Sequence, residues 1–430
     1  MPSFFAQINS TWSSEEQHVW CNKIGYGNPG AQCICCHPTD KDGGFALVRR
    51  LAYADALRNT LRSSWYREVA LYDHAADLID ETADMVIEAA RRVAWIMVDD
   101  DEERSSFHRS LCSGFRFGTA GLVSRLQGLV KSHKPPGSVV MRPVHASTGH
   151  PAIGMMRFIA AQLRDHVIND LPFILRDTDH LLELLSTKKI GASSVLLPFD
   201  VKDFFMSGRA HELCADATGS VKDGRTKRAL ETAISTVLAT QLITVPDGGT
   251  SVYSVAVGTG MGLPCSGEIS DSAFYNRIEK ETVGDPRFLE RFKIDLYVRF
   301  KDDGLFVLPP GSVLEIKKAF TSRAKYFTIE WGDPGEKVPM LDVLLYKGWR
   351  WRHTGLLDYR LYTKPTSIWL PLSPSSMHRE TVHFGWPRAA VCRIRKRCHS
   401  RVIGDEEVAK FTEQLNSVTF PEYAETILFF

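Results

Sequence analysis

The sequence predicts an α+β fold, and three observations carry that prediction. Apolar residues recur at helical spacing in the first quarter of the chain. Short β-branched and aromatic runs bounded by turn residues follow later. The two kinds of segment do not alternate as regular βαβ units do. At 430 residues the chain can bury a large core divided into two to four subdomains. The apolar and charged fractions, 44% and 24%, are those of an ordinary globular protein. A formal net charge of +1 provides no global field, so a polyanionic partner has to be held by local basic patches. No apolar run approaches the roughly 20 residues that span a bilayer, and the N-terminus lacks a signal-peptide pattern. Nine cysteines, an odd number, do not resemble a disulfide framework and point to an intracellular protein.

Taken in order, residues 1–44 read as loop-rich. They hold Cys33, Cys35, Cys36 and His37, with Cys21 upstream, the one cluster with metal-ligand chemistry. CxCCH lacks the usual CxxC spacing, so ordinary thiols are expected rather than a zinc site. Leu47, Leu51, Ala54, Leu57, Leu61, Trp65 and Val69 predict one amphipathic helix. Leu78, Thr82, Met85, Ala89, Val93 and Ile96 predict a second, closed by the acidic run Asp99–Glu103 as a solvated turn. These helices are expected to pack as a layer without chemistry of their own. Proline and glycine break the segment from 120 to 150, which carries KSHKPPG and RPVHASTGHP. Helices are expected over Ile153–Val167, Leu182–Lys188 and Arg225–Leu242. SVLLPFDVKDFF reads as a buried strand entering a turn, and YSVAVGTGMGLPCSGEISDSAFYNRIEKE as a loop followed by a helix. LYVRFKDDGLFVL predicts a hairpin with Asp-Gly as its turn signal. From about residue 350 the chain is basic and rich in aromatics.

A DDG sequence is most often just a hairpin turn. Here both flanks are apolar strands, which places Asp302 and Asp303 at a buried tip, where two carboxylates repel unless a cation lies between them. Asp200 ends a second apolar strand. Two strands presenting aspartates at one sheet edge suit a two-metal site, and hard oxygen ligands suit Mg²⁺.

FDVKDFF, GTGMGLPCSGEISDSAFY and FKDDGLF resemble, in chain order, motifs A, B and C of reverse transcriptases. KSHKPPG…RPV resembles the fingers motifs that hold the triphosphate. FTIEWG…VPMLDVLLY resembles the motif after the catalytic hairpin and the primer-grip strand. YTKPTSIWLPLSPSSMH…RIRKRCHS resembles the start of the thumb in Penelope-like elements. On these motifs, which cover about residues 120–400, the chain resembles the reverse transcriptase family, most closely its Penelope-like branch. The resemblance implies a right-hand polymerase with an antiparallel palm sheet. Its parts would be an N-terminal helical region (1–115), fingers (116–195), palm (196–350) and a basic thumb-like region (351–430).

The resemblance also implies roles. Asp200, Asp302 and Asp303 would hold two Mg²⁺ ions, with Mn²⁺ as a substitute, the Val201 carbonyl as a further ligand, and Asp303 the less essential of its pair. An incoming dNTP would meet Lys131 or Lys134, Arg142, Asp203, Phe205, Gly262 and Pro264. A guanidinium grips phosphate with two parallel bonds, a lysine as a mobile charge, and glycine lets backbone approach the nucleotide. Phe205 resembles the steric gate that excludes a ribose 2′-hydroxyl; a core phenylalanine beside Phe204 is the alternative. Leu341, Asp342, Lys364, Arg393, Arg395, Lys396 and Arg397 fall where the template–primer is contacted, although such a basic run is as often a solvated helix face. The partners implied are an RNA template, a DNA primer and dNTPs, with no membrane, in the nucleus.

Two residues depart from the family. Lys301 precedes the aspartate pair where a small or β-branched apolar residue is usual, and Met340 stands where phenylalanine is common. The GIY-YIG endonuclease of many Penelope-like elements is not recognisable here, so an endonuclease-deficient, truncated or domesticated copy is expected. Two alternatives stay open: an RNA-dependent RNA polymerase, which the aromatic gate argues against, and a catalytically silent nucleic-acid-binding relic.

Overall fold

The computed structural model describes residues 34–40, 45–71, 74–117, 122–131, 139–245, 251–364, 372 and 377–417. The strands β1 (Ile34–Pro38) and β2 (Phe45–Arg49) pair and run into helix α1 (Arg50–Leu61). Then come β3 (Tyr66–Leu71), α2 (Ala76–Met97), α3 (Asp101–Leu111), β4 (Val123–Val130) and β5 (Met141–Ala146). Helix α4 (Ile153–Leu163) ends in a π turn and precedes α5 (Thr178–Thr187), β6 (Val195–Lys202), α6 (Ala210–Ala217) and α7 (Gly224–Ala239). The short strands β7 (Leu242–Thr244) and β8 (Ser251–Val255) lead to α8 (Ser266–Phe274) and α9 (Pro286–Arg291). A hairpin, β9 (Leu296–Phe300) and β10 (Asp303–Leu308), is followed by α10 (Val313–Arg323), β11 (Thr328–Trp331), β12 (Lys337–Met340) and β13 (Val343–Tyr346). The chain closes with α11 (Trp349–Thr354), β14 (Asp358–Leu361), α12 (Glu380–Lys396) and α13 (Arg401–Ser417).

The α+β expectation holds. A four-stranded antiparallel sheet has the order β11-β6-β10-β9, and β12-β13-β14 form a second antiparallel sheet. The third sheet, β3-β8-β7-β4-β5, is mixed, with β4 and β7 parallel. It gathers strands from residues 66–71, 123–146 and 242–255, so three of the four segments expected from sequence contribute to it.

Strand alternation gives the four-stranded sheet two apolar faces. Leu197, Phe199, Val201, Tyr297 and Phe306 face the largest core, shared with α2, α4, α7, α8 and α10. Leu196, Val298, Leu305 and Val307 face a second core, shared with α5 and the strands β12 and β13. Each fully buried side chain of this size contributes about 1.5–3 kcal/mol, so the sheet between the cores is a firm platform.

The N-terminal region differs from its expectation. Leu47 and Val69 lie in strands, and the helix between them is short. Their three- and four-residue spacing mimics a helix because three consecutive elements each bury part of the series. The acidic run does not close a helix as a loose turn. Asp100 caps α3, accepting from the amides of Glu102 and Glu103, and Asp101, Glu102 and Glu103 fill the first turn, where the helix dipole favours anions.

Candidate active site

In β6 the odd residues enter the large core, leaving Asp200 on the opposite face beside Leu196 and Pro198. β10 is aligned so that Asp303 lies directly across from Asp200. β11 places Glu330 on the other side of Asp200. Directly opposed residues share a face, with Cβ atoms about 4.5–5.5 Å apart. Asp303, Asp200 and Glu330 therefore form a row of carboxylates across three strands. Asp302 adds a fourth at the adjoining turn, where its carbonyl accepts from the Val201 amide at 2.9 Å. Lys202 Nζ, at 4.0 Å, is the cation nearest Glu330. Among the described residues no three His, Cys, Asp or Glu side chains form a ready-made metal cage.

The hairpin corrects two expectations. Phe300 pairs with Asp303, so the turn residues are Lys301 and Asp302 rather than Asp303 and Gly304. Gly304 lies inside β10, where a Cβ would come within 2.1 Å of the Phe199 ring, so the glycine makes room for an aromatic ring and not for a turn. Nor is the tip buried: Asp302 is half-buried and Asp303 exposed, so water moderates their repulsion.

A cleft of about 1150 Å³ opens over this sheet edge. Of the residues expected at a nucleotide or metal site, Lys131, Arg142, Asp200, Val201, Asp203, Phe205 and Asp302 all line it. Asp303 is not in its wall, and Lys134 lies outside the described residues. Phe204 and Phe205 divide their roles. Phe204 is buried, packed on Phe274 and Phe327, while Phe205 is half-buried and its carbonyl receives the Thr259 amide at 2.8 Å. Arg142 Nε stands 2.9 Å from Asp40 Oδ1, whose side chain is 2% exposed. The two form an ion pair without the alignment of a hydrogen bond.

Sequence reasoning missed Asp40, Glu330, and Asp55 and Asn59 on α1, all in the cleft wall, which Met261 of the GTGMGLP motif also lines. The alternation of TIEW, placed beside β6, could have found Glu330; nothing local marks Asp40. The layer expected to be inert thus supplies one wall through α1.

The glycine loop sits behind Met261. Gly258, Gly260 and Gly262 all have positive φ. The open side of Gly262, expected to admit a nucleotide, is filled by this chain: a Cβ would meet the His145 carbonyl at 2.4 Å. The His145 amide donates to the Met261 carbonyl at 2.6 Å, and Ser147 Oγ donates to the Gly262 carbonyl at 2.7 Å. Neither Gly262 nor Pro264 lines the cleft. Burial pushes the His145 imidazole down to about 4, so it is neutral at pH 7, and its Nε2 meets the Tyr66 hydroxyl at 3.0 Å.

The basic run on α12 is not an open phosphate track. Arg393 and Arg397 both donate to Asp342, and Arg397 and Lys396 to Asp179. Arg395 pairs with Asp405 at 3.0 Å. Leu341 and Asp342 form the turn between β12 and β13. Asp342 accepts from Thr178 Oγ1 at 2.6 Å, so it ties α5 to α12. Lys364 is exposed. The cysteine cluster is described in part: Cys21, Cys33 and the side chains of Cys35 and Cys36 lie outside the described residues, and His37 stacks on Tyr53 with ring centroids 3.4 Å apart.

No family model and no curated protein matches the sequence. Solved structures do. Apo telomerase from Candida tropicalis aligns over 84% of this chain and 59% of its own, with a TM-score of 0.50 and 9% identity. The fold resembles that of this telomerase. Telomerase of the same organism in complex with the TWJ fragment of telomeric RNA aligns over 89% and 60%, at 0.47 and 10% identity. The RNA-dependent RNA polymerase of BmCPV aligns over 75% and 30%, at 0.45 and 10% identity. The chain spans about three fifths of the telomerase chains it matches. Among the described residues no helix is long and apolar enough to cross a membrane.

Proposed function

We propose that this chain is a reverse transcriptase of the Penelope-like kind, extending a DNA primer on an RNA template with dNTPs. The observation that carries the reading is the strand register. It sets Asp200 directly across from Asp303 and beside Asp302, at the edge of a cleft that also holds Lys131, Arg142 and Phe205. The fold shared with telomerase, itself a reverse transcriptase, supports polymerase chemistry. The cleft exceeds the roughly 300–1,000 Å³ of small-molecule sites, which suits a nucleotide lying against a nucleic-acid end.

In this reading the four-stranded sheet is the palm, residues 116–195 the fingers and residues 351–430 the thumb. Opposed carboxylates at cross-strand spacing fit hard cations that complete their shells with water and phosphate oxygens, as Mg²⁺ does. Asp200, Asp302, Asp303 and the Val201 carbonyl would hold two Mg²⁺ ions, whose Lewis acidity would assist in-line attack of the primer 3′-hydroxyl on the α-phosphate with pyrophosphate as the leaving group. The protein's own part is placement. Lys131 and Arg142 offer positive charge to the triphosphate, which competes with Asp40 for the Arg142 guanidinium. The Phe205 ring stands where a ribose 2′-hydroxyl would crowd it.

Primer extension on an RNA template, with dNTPs or rNTPs and with Asp302→Ala in parallel, tests this. DNA synthesis abolished in the variant is the expected result; ribonucleotide products from the wild type would move the protein to the RNA polymerases, and no synthesis to the silent relics. Phe205→Val is expected to raise ribonucleotide incorporation about tenfold or more, by removing a steric clash of roughly 1–3 kcal/mol. Unchanged sugar selection would remove Phe205 from the gate.

A further inference from the structure

Lys301 immediately precedes Asp302 and adopts a φ of 54°. That conformation costs a residue with a side chain about 1–3 kcal/mol and persists where the surroundings hold it. Two contacts hold Lys301. Its carbonyl accepts from Arg299 Nη1 at 2.9 Å, and its ammonium donates to Asp271 Oδ2 on α8. Both partners are fixed from behind. Arg299 and Asp271 are 0% and 1% exposed and are joined at 2.7 Å. Arg299 also grips both oxygens of the buried Glu279, at 2.7 and 3.0 Å, and the Tyr297 hydroxyl donates to the same carboxylate. Arg299 with two carboxylates would leave a buried negative charge; the Lys301 ammonium brings the quartet to neutrality, which a buried charge cluster needs. Gly267 makes the space, since a Cβ there would lie 2.8 Å from Lys301 Nζ.

We propose that Lys301 is a positioning residue: its ammonium, latched to Asp271 over Gly267, fixes how the turn presents Asp302 to the cleft. The inference rests on the polymerase reading above. It gives a use to the one residue of the hairpin that departs from its family, and it makes α8 the element against which the catalytic turn is set.

The experiment compares wild type, Lys301→Met, Lys301→Arg and Gly267→Ala in steady-state primer extension across a Mg²⁺ titration, with Mn²⁺ binding measured by paramagnetic resonance and melting temperature by calorimetry. Gly267→Ala displaces the ammonium through a new methyl group, in a helix where alanine is otherwise favourable. Lys301→Met and Gly267→Ala should each lower kcat about tenfold or more, raise the half-saturating Mg²⁺ concentration, weaken Mn²⁺ binding and leave the KM for dNTP nearly unchanged. Lys301→Arg should restore most of the rate, and Gly267→Ala, which keeps the ammonium near the cluster, should melt below wild type but above Lys301→Met, which leaves the buried carboxylates one cation short. Failure of the polymerase reading has a different signature, a wild type that makes no product. Unchanged Mn²⁺ affinity in both variants overturns the latch, whatever the extension assay shows.

Discussion

The turns Lys301–Asp302 and Leu341–Asp342 are built alike. Each joins two antiparallel strands through two residues, each begins with a residue other than glycine at positive φ, 54° and 55°, and each ends in aspartate. Their surroundings differ. Asp342 is met by Thr178, Arg393 and Arg397. Burial alone would push its carboxyl up, but those three partners outweigh burial and hold it below the ordinary carboxylate range. Asp302 lines the cleft, and no side chain among the described residues donates to its carboxylate. The same local geometry thus makes a structural clasp where cations are supplied by the chain, and leaves a carboxylate open to the cleft where they are not. Whether such an aspartate is clasped or open is decided by neighbours distant in sequence, not by the turn.

The comparison can be broken by exchanging the two roles. Asp302→Asn should lower extension about a thousandfold and leave the melting temperature unchanged; a stable variant that still extends primers would remove the contrast. Asp342→Asn should do the reverse, costing about 1–3 kcal/mol in urea denaturation by removing the carboxylate that Arg393 and Arg397 share. The pH dependence sharpens this. A depressed carboxyl contributes its full stability above its unfolded value of about 3.9 and loses it as the pH falls through the lower folded value. The wild-type advantage over Asp342→Asn should therefore shrink below about pH 4; a constant difference down to strong acid would show that charge is not what Asp342 supplies. The smallest effect is expected for Lys396→Ala. Its ammonium is exposed and already paired with Asp179, so template affinity should change less than about twofold, and stability by about 0–1 kcal/mol. A shallower salt dependence of template binding in this variant would return α12 to the nucleic-acid interface.

Much of this arrangement was legible in the sequence, for a physical reason. Near-continuous burial in VLLPFDVK, LYVRF and DGLFVL follows from the sheet's two apolar faces, so the apolar strands and the aspartates near their ends stood out. The turn was misplaced because Asp-Gly is a strong local signal, whereas the demand on Gly304 comes from the Phe199 ring on a neighbouring strand. The basic run showed its charges but not its partners, since Asp179 and Asp342 are far away in the chain. Lys301 stood out as a departure without an explanation, because Asp271 lies on another element and Gly267 acts only by what it lacks.

The mixed sheet has a consequence for the growing chain. Tyr66 pairs with Val255, and Val123 with Leu242, so two strands made early wait for partners made much later. At about 5–20 residues per second, ribosomal synthesis leaves β3 unpaired for roughly ten to forty seconds. For part of that interval, from the making of β4 until Leu242 emerges, the inner edge of β4 also presents bare amides and carbonyls beside apolar side chains, a template for pairing with other copies. Such long-range closure folds slowly. A chain interrupted before Leu242 would keep both edges open, so shortened products of this coding sequence are expected to aggregate whatever side chains they retain.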